Sequence, residues 1–145
     1  MYTKSALVDE NGSEKDIITF GPVSIAPEFQ HMGYEKKLIE YSLEKTAEMG
    51  YGAVVIFGHP SNYVSMGFKS CKKYNVSAGG GAYPCAMLVR ELTDGFLDGR
   101  KWVCCESTAY DFDEKDAEEY DKNFPPKKKG YKKVRKSFIF TVIRC

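Results

Sequence analysis

The spacing of apolar residues changes character three times between Ile17 and Phe57, and the rest of the chain is arranged around that stretch. Ile17-Ile18-Thr19-Phe20-Gly21-Pro22-Val23-Ser24-Ile25-Ala26 is an apolar run that ends at Pro27. Glu28 to Gly33 is a loop. From Tyr34 to Met49 the period becomes helical, with Leu38, Ile39, Ser42, Leu43, Thr46 and Ala47 predicted on one face. Gly50 and Gly52 end that helix. Ala53-Val54-Val55-Ile56-Phe57 then runs apolar without alternation, as a strand buried on both faces does. Strand, helix and strand make a βαβ unit, whose crossover is expected to be right-handed.

The flanks are read the same way. Tyr2 to Val8 is a strand, and Asp9-Glu10-Asn11-Gly12-Ser13 is a hairpin turn signalled by Asn-Gly. Ile17 to Ser24 is the returning strand. Ser61 is placed to cap a short helix that ends at Gly67. Asn75 to Gly81 is glycine-rich and expected to be a loop, and Pro84 leads into a strand over Cys85 to Leu92. Asp94-Gly95 and Asp98-Gly99 mark turns, with a short strand over Trp102 to Cys104. Asp111 to Asp121 carries seven acids against Lys115 and is predicted to be a surface helix with Asp113 near its cap. Pro125-Pro126 ends it, before the basic stretch Lys127 to Lys136 and the apolar Phe138 to Ile143. There is no internal repeat.

The start of the predicted helix offers chemistry. Its first N–H groups have no partner within the helix and carry a partial positive charge, which suits an anion such as a phosphate. Gly33 allows close approach of the backbone, and the Gln30 amide can bond phosphate oxygens. The plainer alternative is that Gly33 only turns the loop.

A length of 145 residues suits one domain, read as 1–145 with a core over 1–92 and a C-terminal extension over 93–145. A net charge of +1 gives no overall field for nucleic acid or membrane. The lysines near the C-terminus have the acidic helix as an internal partner and no interleaved aromatics, so they read as a solvated face. No apolar run approaches the roughly 20 residues of a bilayer span, and no secretory signal opens the chain. Five cysteines without C-x-x-C spacing, with only His31 and His59 beside them, assemble no zinc pattern. Reduced thiols in a cytoplasmic setting are expected.

Three segments in order resemble the GNAT acetyltransferase superfamily, and its bacterial short single-domain branch in particular. Ile25-Ala26-Pro27-Glu28-Phe29-Gln30-His31-Met32-Gly33 resembles the family's V-x-P-x-x-[QR]-x-x-G-x-[GA] segment for coenzyme A. Ala53 to Phe57 matches the next strand. Tyr63-Val64-Ser65-Met66-Gly67-Phe68 resembles its Y-x-x-x-G-F. The resemblance covers residues 17–92. It implies an α/β (α+β) fold with a mixed, mostly antiparallel sheet, one central βαβ unit and a C-terminal acidic helix. The sheet splays between two strands, and the pantetheine arm of acetyl-CoA lies in that V against the backbone of Val23 and Ile25. The pyrophosphate rests on Gln30, His31, Met32, Gly33, Tyr34, Glu35 and Lys36, with Asn62 also near the cofactor. An amine attacks the thioester directly, and no metal takes part. Tyr63 matches the tyrosine that protonates the departing thiolate, and a half-buried core role is the alternative. His59, just after the second strand, is a weaker catalytic candidate, since a loop histidine before a proline is an ordinary feature.

Two departures bear on activity. The family's second small residue is Glu35 here, which suits the helix dipole but repels a pyrophosphate by about 2 kcal/mol at about 8 Å and an effective dielectric of about 20. Lys36 and Lys37 are placed to offset it. The family also carries a leading strand and helices before the position of Met1, so the chain reads as N-terminally truncated. Its first strand is then expected to have an open edge, covered by a homo-oligomer, most simply a dimer. An N-acetyltransferase acting on a small-molecule or protein amine is therefore weighed against a weak or inactive CoA-binding or dimerisation module. The general base is not assigned; Thr19 and Ser24 lie on the relevant strand, but neither is a base near neutral pH.

Overall fold

Neighbouring residues of single strands feed two separate cores. In the computed structural model, which describes residues 1–111 and 113–125, Ile17 and Val55 enter one apolar cluster while Ile18 and Val54 enter the other. This is the period-two consequence of a sheet covered on both faces. The strands are β1 (Tyr2–Asp9), β2 (Glu14–Phe20), β3 (Ala53–Phe57), β4 (Lys69–Ser70), β5 (Val76–Ala78), β6 (Met87–Glu91) and β7 (Trp102–Cys105). The helices are α1 (Tyr34–Glu48), α2 (Pro60–Tyr63) and α3 (Glu114–Asp121). All seven strands form one mixed sheet in the order β4-β6-β3-β2-β1-β7-β5.

The helix-side core packs Ile39 and Leu43 of α1 and Met66 and Phe68 from beyond α2 against Ile18, Phe20, Val54, Ile56 and Leu88. The inner core gathers Leu7, Ile17, Ala53, Val55, Met87, Val89, Trp102 and Cys104. Cys71, between β4 and β5, packs in the inner core with Val76 and Ala78. The two edge strands are thereby drawn together over one core and the sheet is curled. The mixed α/β fold with a central βαβ unit and an acidic C-terminal helix is as expected, and Asp113 caps α3 by accepting from the Lys115 N–H at 2.7 Å.

Several local expectations are corrected. Strand β2 stops at Phe20 rather than Ser24: the Gly21 N–H still donates to the Met1 carbonyl at 3.0 Å, but Pro22, joined by a cis bond, has no N–H to extend a ladder. Helix α1 buries a narrower stripe than its periodicity suggests: Ile39, Leu43 and Thr46 are buried, Leu38 is 47% exposed, and Ala47 is exposed. His59, not Ser61, holds the N-cap of α2, and the Ser61 hydroxyl instead meets His59 Nδ1 at 2.7 Å. Val76 to Ala78, expected to be loop, is a strand. Its partner lies 26 positions ahead, with Val76 opposite Trp102, and three residues are too few to show a period. Cys71, Cys85 and Cys104 are not in disulfides, whereas Cys105 is disulfide-bonded, contrary to the expectation of thiols throughout.

The expected open edge on β1 is also absent. Strand β7 pairs antiparallel with β1, placing Ala6 opposite Cys105 and Asp9 opposite Trp102. Toward the start of β1 the Thr3 hydroxyl donates to the Tyr110 hydroxyl at 2.7 Å. The chain covers this strand with its own later segment, so the reason for a homo-oligomer over β1 is removed. The basic stretch Lys127 to Lys136 and the apolar segment Phe138 to Ile143 lie outside the described residues.

The β1–β2 turn is held by one carboxylate. Asp9 Oδ1 accepts from the N–H groups of Asn11 at 2.9 Å and Ser13 at 2.8 Å, and Gly12 takes the left-handed conformation that a two-sided turn needs. Arg100 donates to Asp9 Oδ2 at 2.6 Å, tying the turn to the loop before β7. These bonds, led by the one from Ser13, hold the Asp9 carboxyl below its usual range. A depressed folded-state pKa stabilises above the unfolded value of about 4 and is lost as pH falls below it. Asp9→Asn should therefore lower the melting temperature at pH 7, and the gap to wild type should shrink in melts followed at pH 3.

Candidate functional site

The parallel contact between β2 and β3 is two residue pairs long, Ile18 opposite Val54 and Thr19 opposite Val55. Beyond Thr19 the strands part. Ile56 and Phe57 continue their pairing with β6 on the other side, while Gly21 and Pro22 bond to Met1, next to β1, and not to β3. The result is a V that opens toward the C-terminal ends of two parallel strands. It is not closed by continued ladder bonding.

At the mouth of the V stands the start of α1. Gly33 is its N-cap in the left-handed conformation, and no side chain caps the helix there. The N–H of Lys37 is the first to bond back, to the Gly33 carbonyl at 3.2 Å. The N–H groups of Tyr34, Glu35 and Lys36 are thus left facing outward, as at any helix start. His31 has a φ of 62°, unusual for a residue with a side chain, and forms part of the same tight turn. Gln30 is folded back, its Nε2 donating to the Ile25 carbonyl at 2.9 Å. This braces the loop and occupies the Ile25 carbonyl. Val23 packs against the helix-side core.

The remaining candidates divide between the mouth and the wall. Met32 is 63% exposed, and Tyr34 stacks edge-on with Phe29 at 6.0 Å. Lys36 pairs with Glu40 at 3.7 Å, one turn along the helix. Tyr63 is half-buried, with its ring edge-on to Phe68 at 5.9 Å and Phe20 at 6.3 Å. Burial, and then the charge of Glu35, push the Tyr63 hydroxyl above its ordinary pKa, which keeps it protonated through the neutral range. His59 and Asn62 are exposed and joined through Ser61, whose hydroxyl donates to Asn62 Oδ1 at 3.3 Å. His59 is therefore a poorer catalytic candidate than Tyr63. A separate groove of about 510 Å³ lies between the C-terminal half of α1, residues 65–67 and the end of β6, lined in part by Glu44, Arg90 and Glu91.

No family model matches the chain. The chain is similar to a curated protein of Escherichia coli, the uncharacterized N-acetyltransferase YhbS, in strain K12 and in O157:H7. The identity is 26% over 98 residues, covering 68% of this chain and 59% of the relative. The chain thus spans about three-fifths of the length of the curated relatives it matches. Among solved structures it is similar to the 1.55 Å crystal structure of the GNAT family N-acetyltransferase YhbS from Escherichia coli in complex with CoA. The TM-score is 0.66 at 21% identity, over 77% of this chain and 61% of that one. The fold is that of the GNAT superfamily.

Within the GNAT fold two features escaped the sequence reading. One is Gly58: a Cβ there would stand 2.4 Å from Tyr63 Cε2, so the glycine makes room for the tyrosine ring. A G-H-P triplet reads only as a turn, and the contact is visible only once α2 is folded back. The other is a strip of hydroxyls across β1 and β2. Ser5 Oγ and Thr19 Oγ1 are 2.9 Å apart, Thr19 and Thr3 Oγ1 are 3.3 Å apart, and Thr3 leads to Tyr110. Ser5 and Thr19 are 5% and 3% exposed, and Thr19 is the last paired residue before the V opens.

Gly58→Ala should destabilise the protein by about 1–3 kcal/mol, as overpacking of a filled site does. If the Tyr63 ring is the obstacle, the double variant Gly58→Ala/Tyr63→Ala should show strong non-additivity in urea unfolding. Additive losses would place the clash elsewhere.

Proposed function

We propose that the chain is an acyl-CoA-dependent N-acetyltransferase that moves an acetyl group from acetyl-CoA directly to a primary amine of a small molecule or protein. The observation that carries this reading is the V between β2 and β3 beside an uncapped helix start. Resemblance to YhbS, whose structure was solved with CoA, points the same way.

In this reading the pantetheine arm lies in the V along Val23 and Ile25. The diphosphate meets the outward N–H groups of Tyr34, Glu35 and Lys36 within the turn of Gln30, His31, Met32 and Gly33. Asn62 is at hand for the cofactor. The amine nitrogen attacks the thioester carbonyl carbon, the C–N bond forms and the C–S bond breaks. Tyr63 gives its proton to the departing thiolate and regains one from solvent. Its raised pKa suits that role, because the phenol is protonated at the start of each turnover. Direct attack of the amine on the thioester calls for no metal in this reading. The whole chain is read as one domain, with β7 from beyond residue 92 completing the sheet of the 1–92 core.

A cytoplasmic location goes with this reading. None of the described helices is long and apolar enough to cross a membrane, and the thiols of Cys71, Cys85 and Cys104 suit a reducing compartment, with Cys105 the exception. The homo-oligomer is not carried forward, since its basis was the open edge.

A second reading, a GNAT-fold module that binds CoA with little or no transfer, is favoured by one observation. Glu35 sits in the first turn of α1, where the diphosphate is placed, and part of the Lys36 charge is drawn to Glu40. The two readings part on thiol release from acetyl-CoA in the presence of amines: release above the protein-free rate supports the enzyme, and calorimetric CoA binding without release supports the module. In the enzyme, Tyr63→Phe should lower kcat roughly 100-fold with CoA affinity kept. Glu35→Gln, which keeps helix propensity close to that of Glu35, should tighten CoA binding about tenfold in calorimetry. Unchanged affinity would remove Glu35 as an obstacle.

A further inference from the structure

The proposed mechanism leaves the amine proton without a destination, and the inner face of the sheet supplies one. Leu7 and Cys104 are opposite each other in the β1–β7 ladder and both belong to the inner core. Glu106 follows two residues after Cys104, and the chain is still extended at Ser107. The backbone then turns, and Tyr110 reaches back to Thr3 at 2.7 Å. The segment 106–110 therefore spans the start of β1 between the positions of Ala6 and Thr3. Continuing the β1–β7 register by one residue sets Glu106 opposite Ser5, the member of the hydroxyl strip that meets Thr19. That strip ends at Thr19, where β2 and β3 separate.

Glu106 is half-buried and has no salt bridge or hydrogen bond to its side chain among the described residues. A carboxylate left partly dry and unpaired is costly and gains from a cation. The charged or titratable groups that act on it or that it acts on are Asp111 and Cys104. Burial and then Asp111 push the Glu106 carboxyl up from its usual range. Cys104, buried and beside Glu106, is pushed up to about 12 and stays a neutral thiol. Neither neighbour offers a positive charge. The Tyr110 oxygen accepts from Thr3, so its own O–H proton is available to a ligand.

We infer that Glu106 is the general base and the ammonium-binding carboxylate of the acceptor site, with the hydroxyls of Thr3, Thr19 and Tyr110 as its polar floor. The inference rests on the transferase reading above. An R–NH3⁺ acceptor pairs with the Glu106 carboxylate and gives it one proton. The free R–NH2 then attacks the thioester carbon near Thr19, at the inner end of the V where β2 and β3 separate. The new C–N bond replaces C–S, a second nitrogen proton is released to solvent, and the thiolate is protonated by Tyr63. Glu106 returns its proton to water. The net products are the N-acetyl amide, the free thiol of CoA and one proton.

The test uses the full chain and n-butylamine as the acceptor probe. Glu106→Gln should lower kcat for acetyl transfer roughly 100-fold, keep the KM for acetyl-CoA and its calorimetric affinity, and remove the acidic limb of the pH–rate profile. Glu106→Asp should recover part of the rate, and thermal melts should show both variants folded. A Glu106→Gln variant that transfers at the wild-type rate overturns the assignment. A second measurement does not depend on transfer. In protein labelled with ¹³C at glutamate carboxyls, the signal absent from Glu106→Gln should move when butylammonium is added, and its titration midpoint should fall. A signal that butylammonium leaves unmoved overturns the assignment. If the wild type fails to bind CoA or release thiol, the transferase reading fails, and the carboxyl titration alone then decides whether Glu106 is an ammonium site.

Discussion

Two parallel strands that pair for two rungs and then diverge set the terms for everything else in this protein. Backbone groups beyond the second rung cannot be satisfied by the neighbouring strand, so they must find turns, water or a ligand. The folded-back Gln30 braces the segment that follows β2, and the helix start at Tyr34 brings further unpaired N–H groups to the same mouth. Around this opening the sheet is closed on both faces by apolar side chains, which fixes the strands on either side. The opening is thus a defect held in place by two well-packed cores.

The two faces of the V carry different chemistry. On the helix side, Tyr63 stands among Phe20 and Phe68, where burial holds its proton. On the inner side, the hydroxyl strip and Glu106 make a polar patch bordering the apolar inner core. In the proposed reading Tyr63, beside the helix-side core, and Glu106, beside the inner core, stand on opposite faces of the sheet, so each is shielded from the other. Their pKa values are both raised by burial, but the consequences are opposite: the phenol becomes a more secure donor and the carboxylate a stronger base.

Much of this was legible in the chain itself where signals were local. The βαβ unit from Ile17 to Phe57, the Asn11-Gly12 hairpin, the αL stop at Gly67 and the Asp113 cap each rest on residues within one turn or one strand. What was not legible depends on partners distant in sequence. Val76 to Ala78 becomes a strand only because Trp102 to Cys104 lies beside it. The open edge predicted for β1 was closed by β7, a pairing with no local marker. For the candidate site, the glycine turn before Tyr34 could be named from spacing, and Tyr63 from the family resemblance. Gly58, the hydroxyl strip and Glu106 could not, since each acquires its neighbours only through the curl of the sheet.

The β1–β7 ladder has a consequence for how the chain comes to be folded. Ala6 meets Cys105 and Asp9 meets Trp102, contacts separated by more than 90 residues. Such distant pairing is slow to form, because a long loop must close before any rung is gained. During synthesis the β1–β2 hairpin must wait, one flank of β1 bare, until Trp102 to Cys105 have been made. In that interval the exposed flank is a ready site for pairing with a neighbouring nascent chain, so the yield of native protein is set by how fast the late strand arrives.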